Sequence, residues 1–176
     1  VQDYDRAIQL DPDAVELYVL RGNAFYLFGR YEWAKEDYDK AIQLDSESAS
    51  AYLGRGNSYA ALSHYQNAIA DYDKAIQLDP ELVSAYQERG DSYTELGQHQ
   101  NAIADYDKAI QLDPEHAMSY EYRGFAFAQL GQYRAAIEDY NRAIQLEPGL
   151  VLIYQERGDA YAQLGQHQNA IADYDK

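Results

Sequence analysis

The chain repeats itself every 34 residues, and that period constrains the fold before any single motif is considered. Gly22, Gly56, Gly90, Gly124 and Gly158 are each 34 apart, and the tetrapeptide AIQL starts at Ala7, Ala41, Ala75, Ala109 and Ala143 with the same step. A unit of this size cannot bury its apolar face alone, so successive units must stack and share an interior.

Two helical patterns alternate within each unit. Tyr18, Gly22 and Phe25 lie at spacings of four and three, as do Tyr52, Gly56, Tyr59 and Tyr86, Gly90, Tyr93, which marks one face of a first helix. Ala34, Tyr38 and Ala41 follow the same rule, matched by Ala68, Tyr72, Ala75 and Ala102, Tyr106, Ala109, and define a second amphipathic helix. The glycines and alanines are small for a reason. Two helices approach to roughly 8 Å only where the contact carries little side chain, so these columns are expected to set the packing.

Gly29, Gly97, Gly131 and Gly165 fall between the two patterns, where a helix end calls for left-handed backbone. Ser63 takes the glycine's place in one unit. Asp11-Pro12, Asp79-Pro80, Asp113-Pro114 and Glu147-Pro148 fall between units, with Ser46 replacing proline once. The acid is expected to cap, and the proline to occupy the first turn of the next helix.

The period, with Tyr18, Gly22, Phe25, Ala34, Tyr38, Ala41 and the inter-unit proline, resembles the tetratricopeptide repeat, TPR. The resemblance covers essentially the whole chain. It implies an all-α fold, a right-handed α-solenoid of antiparallel helix pairs. Read this way, residues 1–14 carry the second helix of a truncated unit, 15–48, 49–82, 83–116 and 117–150 are complete units, and 151–176 are an incomplete fifth. The pentatricopeptide arrays, which read RNA, are the nearest confusable class, but their repeats are about one residue longer and basic. The strict step of 34 argues against them.

One column departs from the TPR pattern. Arg21, Arg55, Arg89, Arg123 and Arg157 stand where a hydrophobic residue precedes the glycine. An aspartate precedes each second-helix tyrosine, at Asp37, Asp71, Asp105, Asp139 and Asp173. We expect Arg and Asp to pair within each unit by a bidentate, charge-assisted bond, in preference to an anion-binding arginine ladder. The DYDK stretches themselves read as solvated helix faces.

The resemblance further implies a concave groove lined by the first helices, in which a peptide or protein segment binds. Off the Tyr-Gly packing face, the expected lining is Glu16, Val19, Leu20, Asn23, Tyr26 and Leu27, then Leu53 and Asn57, then Gln87, Glu88, Asp91 and Glu95. Later units add Met118, Glu121, Tyr122 and Phe125, then Leu152, Gln155, Glu156 and Asp159. The lining alternates between apolar and acidic and suits a segment with hydrophobic anchors and Lys or Arg. For Met118, Tyr122 and Phe125 the competing reading is packing between neighbouring units. TPR domains that clamp the C-terminal carboxylate of chaperones use Lys, Asn and Arg. Asn23 and Asn57 fit that pattern, but Val19, Gln87 and Asp91 replace the basic members, which argues against chaperone-tail binding.

Thirty acidic residues against fourteen basic ones give a formal charge of −16, which disfavours nucleic acid and anionic membrane as partners. No run approaches the roughly 18–20 apolar residues of a membrane span, and no signal-peptide pattern opens the chain. A soluble protein is expected, with the cytoplasm favoured. Four histidines, His64, His99, His116 and His167, never lie four apart, and cysteine is absent. No phosphate loop or nucleophile elbow appears either, so we expect no enzyme, no metal and no cofactor. His99 and His167 read as surface residues near a turn.

The chain starts at Val1 and ends within a second-helix pattern, which suggests a piece of a longer array whose apolar ends invite end-to-end association of copies. Residues 86–108 and 154–176 are nearly identical, from duplication or from consensus design. Three functions stay open: an interaction scaffold, a self-assembling structural array, and the non-catalytic targeting region of a larger enzyme.

Overall fold

The computed structural model describes residues 1–176, which form eleven α-helices and no strand. They are α1 (Gln2–Leu10), α2 (Val15–Leu27), α3 (Tyr31–Leu44), α4 (Ala49–Ala61), α5 (Tyr65–Leu78) and α6 (Val83–Glu95), followed by α7 (His99–Leu112), α8 (Ala117–Gln129), α9 (Tyr133–Leu146), α10 (Val151–Gln163) and α11 (His167–Tyr174). None is long and apolar enough to cross a membrane. The chain divides into two compact units, Val1–Ser92 and Tyr93–Lys176. In the first, α2 packs on α3 and α4 on α5, and in the second, α8 packs on α9 and α10 on α11.

Within each unit, a tyrosine closes a helix pair against a glycine. In the first unit a Cβ added to Gly22 would lie 2.9 Å from Tyr38 Cε1, and Gly54, one helix pair further on, faces the same ring. Tyr38, only 1% exposed, is thus wedged between two first helices, and neighbouring pairs share an interior through it. Gly56 meets Tyr72 in the same unit, and Gly124 meets Tyr140 in the second. Ala34, Ala41, Ala68, Ala75, Ala136 and Ala143 are fully buried around these rings, so the small columns do set the approach of the helices.

The turns between paired helices follow from backbone chemistry. Gly29, Gly97, Gly131 and Gly165 have φ between +69° and +73°, and Ser63 adopts +61° in the same position. The chain then folds back so that Arg30 N–H donates to the Phe25 carbonyl at 2.8 Å and Gly29 N–H to the Tyr26 carbonyl at 2.9 Å, satisfying orphan carbonyls at the end of α2.

Between successive pairs the proline is not where its helix preference suggests. Pro12 precedes α2 by three residues and lies in the connecting turn, as do Pro80 and Pro114 before α6 and α8. Its carbonyl is the useful group. The hydroxyls of Tyr18, Tyr86 and Tyr120 donate to the carbonyls of Pro12, Pro80 and Pro114 at 3.0–3.2 Å. The acid before the proline works locally too: Asp79 Oδ1 accepts from Glu81 N–H and Asp113 Oδ1 from Glu115 N–H, both at 3.1 Å. It shapes a turn at the end of one helix and does not cap the next.

Candidate functional site

In the first unit, α2 and α4 lie side by side and leave a recess of about 280 Å³. Val19, Asn23, Tyr26 and Leu27 line it from α2, and Leu53, Gly54 and Asn57 from α4. Tyr38 forms its floor, with the hydroxyl donating to Asn23 Oδ1 at 2.6 Å. The hydroxyl of Tyr72 donates in the same way to Asn57 Oδ1 at 2.9 Å. A second hollow, lined by Val15, Glu16, Val19, Leu20, Asp45, Ser48 and Ser50, adjoins the first through Val19 and Ser50. Leu20 and Leu27 reach into solvent at 45% and 82% exposure.

On α6, Gln87, Glu88 and Asp91 are half-buried. Burial pushes the Glu88 carboxyl above its ordinary range. Burial, and after it the charge of Glu88, raises the hydroxyls of both Tyr26 and Tyr72. A carboxylate therefore bears on the recess-lining Tyr26, and no cationic side chain lines the recess.

The second unit brings its acids together. Burial first, then the charge of Glu121, lifts the Glu156 carboxyl to about 7, against a smaller opposing hydrogen bond from Tyr140. Its Oε2 is buried without a hydrogen-bond partner. Glu121 is raised by burial as well. Gln155 and Asp159 are exposed, with Asp159 Oδ1 accepting from the Tyr174 hydroxyl at 2.7 Å. Tyr122 meets Tyr106 with ring centroids 6.1 Å apart and the planes tilted by 47°, and packs on the core formed with Ala102 and Ala126, as the packing reading anticipates. Phe125 is half-buried and Met118 is 39% exposed.

The arginine column is built inward. Arg55 Nε and Nη2 donate to Asp71 at 2.8 and 2.6 Å, a bidentate pair within one helix pair. Arg21 with Asp37, Arg123 with Asp139 and Arg157 with Asp173 repeat it. The remaining nitrogen reaches the preceding second helix: Arg55 Nη1 donates to Asp39 at 2.6 Å, Arg21 Nη1 to Asp5 at 2.7 Å, and Arg157 Nη1 to Asn141 at 2.6 Å. Each guanidinium also lies 5.4–5.9 Å from the ring centre of the first-helix tyrosine, as Arg55 does over Tyr52. Both acids of DYDK are thereby engaged, and because the first acid and the tyrosine are buried, as Asp71 and Tyr72 are, the reading of these stretches as solvated face is corrected, although the second acid stays exposed. The arginines hold three helices together and offer no ladder to an anion. His99 also departs from expectation, being half-buried with Nδ1 enclosed, whereas His167 is exposed.

The profile described as TPR repeat matches residues 22–63, 90–131 and 124–165, and that described as tetratricopeptide repeat matches residues 49–82. The chain belongs to the tetratricopeptide-repeat family. Solved TPR-like structures agree. A crystal structure of MamA superposes with a TM-score of 0.84 at 26% identity, covering 92% of this chain and 88% of that one. MamA from Desulfovibrio magneticus gives 0.85 at 21% identity, covering 91% and 90%. YrrB, described as a TPR protein with an unusual peptide-binding site, gives 0.82 at 24% identity, covering 98% and 89%. No curated protein sequence matches the chain. The fold class is thus that of a TPR α-solenoid, and membership makes the chain a protein-interaction scaffold in the broad sense of its family.

Proposed function

We propose that this TPR chain binds a peptide or protein segment on the exposed faces of its first helices, through a mixture of apolar and acidic side chains. The recess between α2 and α4 carries the reading: it is concave, preformed and lined by Val19, Tyr26, Leu27 and Leu53. The arginine column, by contrast, is consumed in holding helices together, and the second-helix tyrosines Tyr38, Tyr72, Tyr106 and Tyr140 are buried. Glu88 in one unit, and Glu121 with Glu156 in the other, suit Lys or Arg on the partner. Gln87, Asp91, Gln155 and Asp159 flank these acids and complete the polar part of the surface.

The test is a selection of random twelve-residue peptides on the chain, followed by affinities for substituted proteins. Asn57→Ala and Met118→Ala are expected to weaken the selected peptides several-fold, while Lys74→Ala and Glu138→Ala, on second helices, leave them unchanged. Peptides lost only with the second-helix changes, or none selected at all, would refute the proposal.

A further inference from the structure

Gly54 is the odd member of its column. The equivalent places in the other units hold Leu20, Glu88, Tyr122 and Glu156, each of which carries a side chain. Only α4 has none there, and a Cβ at Gly54 would collide with the Tyr38 ring, so the glycine is what admits that ring as the floor of the recess.

We infer that this recess takes one bulky apolar side chain of a partner segment, with lysine or arginine next to it in the partner's sequence. The inference rests on the groove reading above and adds which chemistry is read where. Three observations lead to it. The floor is fixed: the Tyr38 ring occupies the space into which a Cβ on Gly54 would project, and its hydroxyl is tied to Asn23 Oδ1. A rigid floor binds without first being ordered.

The walls are apolar and in part wet. Val19, Tyr26 and Leu53 surround the opening, and Leu27 stands beside it at 82% exposure, so an entering side chain removes leucine surface from water. The size matters as well. At about 280 Å³ the recess has room for a bulky side chain.

Charge then narrows the neighbour. Glu16 and Asp45 line the adjoining hollow, and Glu88 acts on Tyr26 at the wall. The arginines of these helices, Arg21 and Arg55, are turned to Asp37 and Asp71. A segment entering between acids with no local cation is favoured when it supplies its own positive charge.

The test uses the 176-residue chain and a positional-scanning peptide library read by fluorescence polarisation. Binders are expected to require Leu, Ile, Met, Phe or Tyr at one position and Lys or Arg beside it, and replacing the apolar residue by Ser should weaken binding about tenfold. Leu53→Asp should weaken the apolar peptide by a similar factor and barely change its Ser version. Glu88→Gln should reduce the preference for Lys or Arg without touching the apolar one. Peptides that bind with no apolar requirement, or that are insensitive to Leu53→Asp yet weakened by Met118→Ala, would overturn this inference and leave the groove reading standing. Absence of any peptide binding would overturn both.

Discussion

The ring of Tyr72 fills the space above Gly56, so that a Cβ built on the glycine would lie 2.6 Å from Tyr72 Cε1. Neither residue can change size without moving α4 against α5. Gly56→Ala is therefore expected to cost about 1–3 kcal/mol, the range for overpacking a filled core. A urea midpoint unchanged from the parent would show that the contact is slack.

The turn residues respond to backbone strain alone. Nothing lies within 4 Å of a Cβ on Gly97, but its φ of +69° makes Gly97→Ala cost about 1 kcal/mol. Ser63 already pays that strain at φ +61°. Ser63→Gly is expected to raise stability by about 0.5–1 kcal/mol, and a loss in thermal unfolding would contradict this.

The two acids that Arg55 holds should differ in worth. Asp71 has a side chain 8% exposed and takes the bidentate bond, whereas Asp39 is 50% exposed and takes one nitrogen. Asp71→Asn should cost about 2–3 kcal/mol, because it leaves a partly buried guanidinium under-compensated. Asp39→Asn should cost less than about 1 kcal/mol. A double-mutant cycle of Arg55→Leu with Asp71→Leu checks the first figure. Coupling below about 0.5 kcal/mol would reject the pair as a structural bond.

Most of this architecture could be read from the columns, because a helix pair that recurs every 34 residues writes its packing positions at fixed offsets. Tyr38 and Gly22 were readable as neighbours for that reason, and so was the Arg21–Asp37 bond. Reach across units was not. Asp39 sits two residues beyond the buried Asp37, Asp5 holds the same place in α1, and only the crossing of three helices brings them to the next arginine. The place of Pro12 is not legible either, because proline's fixed φ suits a turn as well as a first helical position, and sequence does not tell the two apart. On the candidate face, Val19, Asn23, Tyr26, Leu53 and Asn57 converge in one recess, but Gly54, which admits Tyr38 as its floor, has no side chain by which to announce itself.

Glu156 makes stability depend on pH. Its carboxyl is lifted from an ordinary 4.5 to about 7, so the folded chain holds an extra proton between those values. Stability from this group is complete below about pH 4.5 and is lost as pH rises through 7. Glu156→Gln should remove the loss: the variant gains little at pH 5 and about 1–2 kcal/mol at pH 8, after solvent screening of a half-buried group. Denaturant midpoints of both proteins at the two pH values decide it, and an equal gain at both would locate the effect elsewhere.

The claim that the first helices form the binding face is tested most directly by a ¹⁵N–¹H NMR titration of the chain with a library-selected peptide. Shifts are expected along α2, α4 and α6, and along α8 and α10, with the largest near Leu53 and Asn57. Shifts confined to α3, α5, α7 and α9 would contradict it.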